Sequence, residues 1–233
     1  MTDTEQEDVT PGAMFKWEPD SPNLLFFLGG ALAFKRENHF RRFLFATREL
    51  RINKVWLNDQ NFSWYHCGVN GHSTDLQSTA DYLKRIVDER NIERVCFLGV
   101  SSGGYASLLF AWMLQADAAL AVSPRTYLDR ENRLKFKDFK FRRNLDKLDA
   151  MPEAQREYFD LAPVLENGAA NTEYHLFYSS NSEGDKIHCE RLAHLPNTVM
   201  HESDQTTGHN ITTDLVKNGA IFDVLREKYG LPS

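Results

Sequence analysis

Arg94-Val95-Cys96-Phe97-Leu98-Gly99-Val100-Ser101-Ser102-Gly103-Gly104-Tyr105-Ala106-Ser107-Leu108-Leu109-Phe110 is the stretch that decides the fold. Val95 to Leu98 is an apolar run of buried-strand length, and the residues from Tyr105 onward form an apolar helical segment. Between them lies G-x-S-x-G with Ser101 at its centre. In this nucleophile-elbow pattern a tight strand-to-helix turn holds the serine in a strained backbone conformation with its hydroxyl projecting outward. Gly99, Gly103 and Gly104 answer to that geometry, because a Cβ would collide where the strand end and the helix start nearly touch. The helix N-terminus also aims its N–H groups at the serine, which places the N–H of Ser102 to stabilise an oxyanion.

A serine is a poor nucleophile unless a neutral imidazole takes its proton and a carboxylate fixes the tautomer of that imidazole. In this architecture the order along the chain is Ser, acid, His. Tyr174-His175-Leu176-Phe177-Tyr178 reads as a strand, and the loop that follows it carries Glu183 and Asp185. Asp185 is the better placed acid, with Glu183 and Asp204 as rivals. Thr198-Val199-Met200 then runs into a loop ending in Gly208-His209-Asn210, which opens the last helix, so His209 is the expected base. His201, at a strand end, is its rival. His39, His66 and His72 precede the serine and break the order, while His175, His188 and His194 fall within elements. A Cys67–His66 pair is disfavoured because adjacent side chains in an extended segment point apart.

On these residues the chain resembles bacterial members of the α/β-hydrolase superfamily, over roughly residues 20 to 230. Asn23 to Ala31 resembles the strand and glycine-rich exit that supply the second oxyanion donor of that family, which implies the N–H of Gly30 or Ala31 beside that of Ser102. Asp59 and the Gly68-Val69-Asn70-Gly71-His72-Ser73 run resemble a family Asp and G-x-G-x-S loop, with one extra residue between the glycines. Gly103-Gly104-Tyr105 and Ser123-Pro124-Arg125-Thr126 resemble hydrolases associated with bacterial surface polysaccharides. The resemblance implies a serine hydrolase acting on a carboxylic ester, with a small-molecule or carbohydrate-linked substrate. Thioester hydrolysis and acyl transfer use the same machinery, and a non-catalytic binding module is the reading from another class.

The expected fold is α/β, a mostly parallel sheet of about six strands with helices on both faces. Strands are expected near 24–28, 55–58, 95–98, 118–122, 174–178 and 197–201. The clearest helix carries Leu76, Ala80, Leu83 and Val87, with Ser73 and Thr74 as cap candidates. At 233 residues and 42% hydrophobic, the chain is large enough for one sizeable core. Residues 1–14 are expected to be a disordered lead and 15–233 a single domain. Trp64 and Tyr65, after the second strand, either wall the substrate pocket or pack beneath their loop; Tyr105 is a further pocket candidate.

From Ser123 to Leu161 the strand–helix alternation breaks, and 124–160 is read as an inserted cap. Pro124 to Arg143 holds eight cations against three acids, a net +5 in a chain of net −6. Phe136, Phe139 and Phe141 interleave with them. Either the cations meet an anionic substrate or surface while nucleic acid is not the expected partner, or the phenylalanines anchor the cap and the cations are solvated. Cys67, Cys96 and Cys189 are an odd, scattered set, so reduced thiols and a cytoplasmic location are expected. With neither CxxC nor HExxH in the sequence, no metal or other cofactor is expected. No apolar run reaches the length of a membrane span. Oligomeric state is not encoded in any of these patterns.

Overall fold

The computed structural model describes residues 8–30, 47–168, 171–204 and 208–231. Its centre is made of strands whose buried residues are mainly apolar: β3 (Asn23–Gly29), β4 (Asn53–Asn58), β5 (Arg94–Val100), β6 (Ala118–Val122) and β7 (Glu173–Ser179), with β8 (Thr198–Ser203) at one edge. Continuous apolar runs such as Leu24-Leu25-Phe26-Phe27-Leu28 are what a parallel strand covered on both faces requires. These six strands coincide with the six expected and pair in parallel in the order β4-β3-β5-β6-β7-β8.

The sheet nevertheless has eight strands. β1 (Asp8–Thr10) and β2 (Ala13–Lys16) form an antiparallel hairpin around Pro11–Gly12, and β2 pairs antiparallel with β4. Residues 8–14 are therefore structured rather than part of a disordered lead. Strands of three and four residues are too short to show a period, and their order comes from the β4 edge they cover.

Alternate strand residues feed two cores, as a pleated sheet dictates. Leu24, Phe26 and Leu28 join one core with α1 (Leu76–Glu89), α2 (Ser102–Leu114) and α5 (Leu161–Glu166), whereas Leu25 and Phe27 join the other with α7 (Thr212–Lys217) and α8 (Ala220–Tyr229). Helix α1 is capped by Asp75, not by Ser73 or Thr74. The Asp75 carboxylate accepts from the Ser78 N–H at 2.7 Å, and Ser78 Oγ accepts from the Asp75 N–H at 3.1 Å. Ser73 is committed elsewhere, accepting from the Val69 N–H at 2.8 Å.

The segment expected as a cap contains α3 (Arg130–Lys135), α4 (Arg142–Asp149) and a 3-10 turn at Glu153–Gln155. It is closed at its base by a bridge between Tyr127 and Asp160. The Asp160 carboxylate fastens that base, taking two hydrogen bonds from Arg191 (2.7 and 2.9 Å) and one from Asn132 (2.8 Å). The remaining helix, α6 (Glu183–Glu190), follows β7. Among the described residues no helix is long and apolar enough to cross a membrane.

Candidate active site

Ser101 ends the turn between β5 and α2 with φ 57° and ψ −114°, a conformation that a non-glycine residue adopts only at a cost of about 1–3 kcal/mol. The surroundings hold it there. The Ser101 N–H donates to the Val122 carbonyl at 2.9 Å, and its own carbonyl accepts from Tyr105 at 3.0 Å. A Cβ on Gly103 would strike the Leu28 carbonyl, and one on Gly99 would strike the Gly103 carbonyl and lie 2.6 Å from Ser107 Oγ. The two glycines thus permit the helix start to lie against β3 and β5.

Ser102 is the first residue of α2, where a backbone N–H has no acceptor within the helix. Gly30 lies alongside: a Cβ built on it would be 2.8 Å from the Val100 carbonyl oxygen and 3.8 Å from Ser101 Cβ. Both expected donors of the oxyanion site are thus next to the serine. Ala31, the alternative to Gly30, lies outside the described residues.

Asp185 sits in the first turn of α6, and its side chain is only 5% exposed. His209 lies between β8 and α7, and its Nδ1–H donates to Asp185 Oδ1 at 2.7 Å. Burial pushes the Asp185 carboxyl upward, but the interaction with His209, hydrogen bonding to Ser182 and the charge of Lys140 outweigh it, leaving the group below the usual carboxylate range. The His209 ring is 40% exposed. Its backbone carbonyl accepts from Ser123 Oγ at 2.9 Å, and Ser123 directly follows the Val122 that holds Ser101. One strand end, that of β6, therefore ties the serine to the histidine.

The rivals are occupied or displaced. His201 Nε2 lies 2.9 Å from His175 Nδ1, and its ring stacks on Phe177, a residue of the α7–α8 core. Glu183 is exposed, whereas Asp185 one turn-step further is buried. Asp204 is exposed in the loop after β8.

The aromatic residues proposed for a pocket wall belong to the core instead. Tyr65 is fully buried, and its hydroxyl lies within hydrogen-bond reach of the carbonyls of Leu57 (2.9 Å) and Gly29 (3.1 Å). Trp64 is equally buried and meets Phe141 of the 124–160 segment edge to face. The buried Tyr105 donates to the Tyr158 carbonyl at 2.6 Å and meets His66 Nε2 at 3.0 Å. The reason is the loop's backbone. Phe62, Trp64 and Tyr65 all have positive φ, and the Asp59 carboxylate gathers the N–H groups of Asn61, Ser63 and Tyr65, folding the aromatics inward.

Sequence reasoning passed over a second cluster beside the site. Asp138 of the 124–160 segment accepts from Arg125 and from His188 Nε2 at 3.2 Å, and His188 Nδ1 accepts from the Thr126 N–H at 3.0 Å. His188 stands on α6 three residues after Asp185, so the helix that carries Asp185 also anchors the 124–160 segment. Two signals pointed to it: Asp138 is the one acid in a ten-residue basic run, and an i, i+3 spacing places Asp185 and His188 on one helix face.

No protein-family model matches the sequence, and no curated relative does. Solved structures do resemble it. An α/β-hydrolase enzyme from the metagenome of lagoon sediments at Mar Chica, Morocco, superposes with a TM-score of 0.64 at 17% identity, over 95% of this chain and 98% of that one. An esterase of Pyrococcus furiosus gives 0.62 at 13% identity, over 92% and 84%. MenH from S. aureus gives 0.57 at 15% identity, over 94% and 98%. At such identities the shared property is the architecture, and by that architecture the chain has the α/β-hydrolase fold.

Proposed function

We propose that the protein is a serine hydrolase that cleaves a carboxylic ester through an acyl-enzyme. The observation that carries this reading is the 2.7 Å hydrogen bond from His209 Nδ1 to the buried Asp185, in the same molecule as a serine with φ 57°. With Nδ1 holding the proton, Nε2 is the acceptor, which is the tautomer a general base needs. Ser101 Oγ attacks the carbonyl carbon and passes its proton to Nε2. The resulting oxyanion is held by the N–H groups of Ser102 and of Gly30 or Ala31. As the tetrahedral species collapses, the C–O bond to the alcohol breaks and Nε2 returns the proton to the leaving oxygen. Water repeats the sequence on the acyl-enzyme and frees the acid. The free thiols Cys67, Cys96 and Cys189 favour a cytoplasmic site of action.

A panel of p-nitrophenyl esters from acetyl to decanoyl tests the activity and reports pocket depth together. Saturable hydrolysis that disappears in Ser101→Ala supports the reading. Turnover that survives in Ser101→Ala contradicts it, and no turnover of any ester by folded protein would favour a binding module.

A further inference from the structure

Leu134-Lys135-Phe136-Lys137-Asp138-Phe139-Lys140-Phe141-Arg142-Arg143 is composed solely of apolar and charged residues: four apolar side chains, five cations and one acid. The structure sorts these. Asp138 turns inward to Arg125 and His188, and Phe136 stacks on Tyr127 with ring centroids 5.4 Å apart. The rest face outward. Leu134 is 56% exposed, Phe139 59% and Phe141 40%, three of the five large apolar side chains exposed among the described residues. Lys135, Lys137, Lys140, Arg142 and Arg143 are exposed between them, and among the described residues Arg142 alone of the five forms an ion pair, at 3.6 Å with Asp146.

We propose that this projection docks the protein on an anionic lipid surface. A polyanion such as an acidic polysaccharide would answer the cations but would leave Leu134 and Phe139 in water. An anionic lipid–water interface answers both, attracting the cations to its headgroups and taking the apolar side chains into the acyl boundary. Charge complementarity is local, since the chain as a whole carries −6 and would otherwise be repelled. The projection also borders the candidate site: a methyl group added at Gly184, next to Asp185, would lie 3.7 Å from Lys140 Nζ. Docking would thus hold the site against the interface. The docking rests on the surface itself and not on the hydrolase reading.

The test is co-sedimentation of the full chain carrying Ser101→Ala, so that binding is read without turnover. Vesicles of phosphatidylcholine alone are compared with vesicles containing about 30% phosphatidylglycerol. The expected result is binding to the anionic vesicles only, reversed by roughly 0.5 M salt. Lys135→Gln with Lys137→Gln should weaken it roughly 30-fold, about fivefold per cation. Leu134→Ser with Phe139→Ser should weaken it on the order of tenfold or more. Both variants change exposed side chains, and an unaltered melting temperature verifies their fold. Failure of the folded protein to sediment with anionic vesicles at low salt overturns the proposal. So does a loss in the charge variant without one in the apolar variant, which is the mark of a polyanion binder.

Discussion

Helix α6 carries halves of two histidine–carboxylate pairs, and the comparison between them separates chemistry from architecture. Asp185 pairs with His209, which is 40% exposed, and His188, three residues on, pairs with Asp138 and is 5% exposed. His188 has both nitrogens engaged, Nδ1 by the Thr126 N–H and Nε2 by Asp138, so it has no lone pair to offer a substrate. Burial pushes it down to about 4. In the Asp185–His209 pair the carboxylate engages Nδ1, and among the described residues no hydrogen bond engages Nε2. The same two residue types thus make a half-exposed pair, the one we propose for the chemistry, at one place and a buried clasp between the 124–160 segment and α6 at the other; what differs is burial and the second hydrogen bond.

Substitutions should split the pairs cleanly. The largest effect is expected at the exposed pair and its serine. Ser101→Ala and His209→Ala should each lower kcat on the order of 10⁶-fold, and Asp185→Ala roughly 10⁴-fold, with melting curves little changed, because the three act as a unit in the chemistry and not in the fold. Steady-state kinetics on an activated ester, beside thermal unfolding, measures both sides. Full activity in His209→Ala would move the base elsewhere, with His201 the next candidate.

The clasp should behave in the opposite way. Asp138→Ala leaves the Arg125 guanidinium, whose side chain is 5% exposed, without its carboxylate, and should cost about 3–5 kcal/mol of stability. Below its melting range the variant should keep most of its kcat. A denaturant titration that gives wild-type stability would show that the clasp is incidental.

Acid should reach the clasp through His188. In the unfolded chain an imidazole takes up its proton near 6.5, whereas burial holds His188 neutral in the fold down to about 4. Between those values the unfolded state binds more protons, so stability rises with pH and is lost as the pH falls from 6.5 towards 4, on the order of 3 kcal/mol from this group. His66, pushed down to about 3 by burial, and His175, to about 4, act in the same direction. Asp138, at about 2 despite burial because His188 and Arg125 favour its charged form, adds a loss only below the ordinary carboxylate range near 3.8. His188→Gln should therefore flatten the stability profile between pH 6.5 and 4. An unchanged profile would mean that His188 does not resist protonation.

The smallest effect is expected at His201, whose ring is taken up by His175 and Phe177. His201→Gln should change kcat/KM less than about threefold, because a surface-edge substitution away from the reacting groups leaves the transition state untouched.

How much of this was legible in the sequence follows the same division. The tight turn at Ser101, the six parallel strands and the pairing of Asp185 with His209 were readable, because each rests on a local rule: glycines where backbones touch, continuous apolar runs, chain order. The hairpin at 8–16 was not, since its short strands gain order from the edge of β4 rather than from their own pattern. Nor was the inward turn of Trp64 and Tyr65, which depends on positive φ angles fixed by the Asp59 carboxylate. The Asp138–Arg125–His188 clasp joins His188 to residues 50 and 63 positions before it, and only the folded chain brings them together.

The central claim is that Ser101 is a nucleophile activated by its surroundings, and labelling by a fluorophosphonate probe tests it most directly. The expected result is one covalent adduct per chain, mapped by peptide mass spectrometry to Ser101, abolished in Ser101→Ala and slowed by orders of magnitude in His209→Ala. Folded wild-type protein that takes up no label, or takes it up at another residue, would contradict the account.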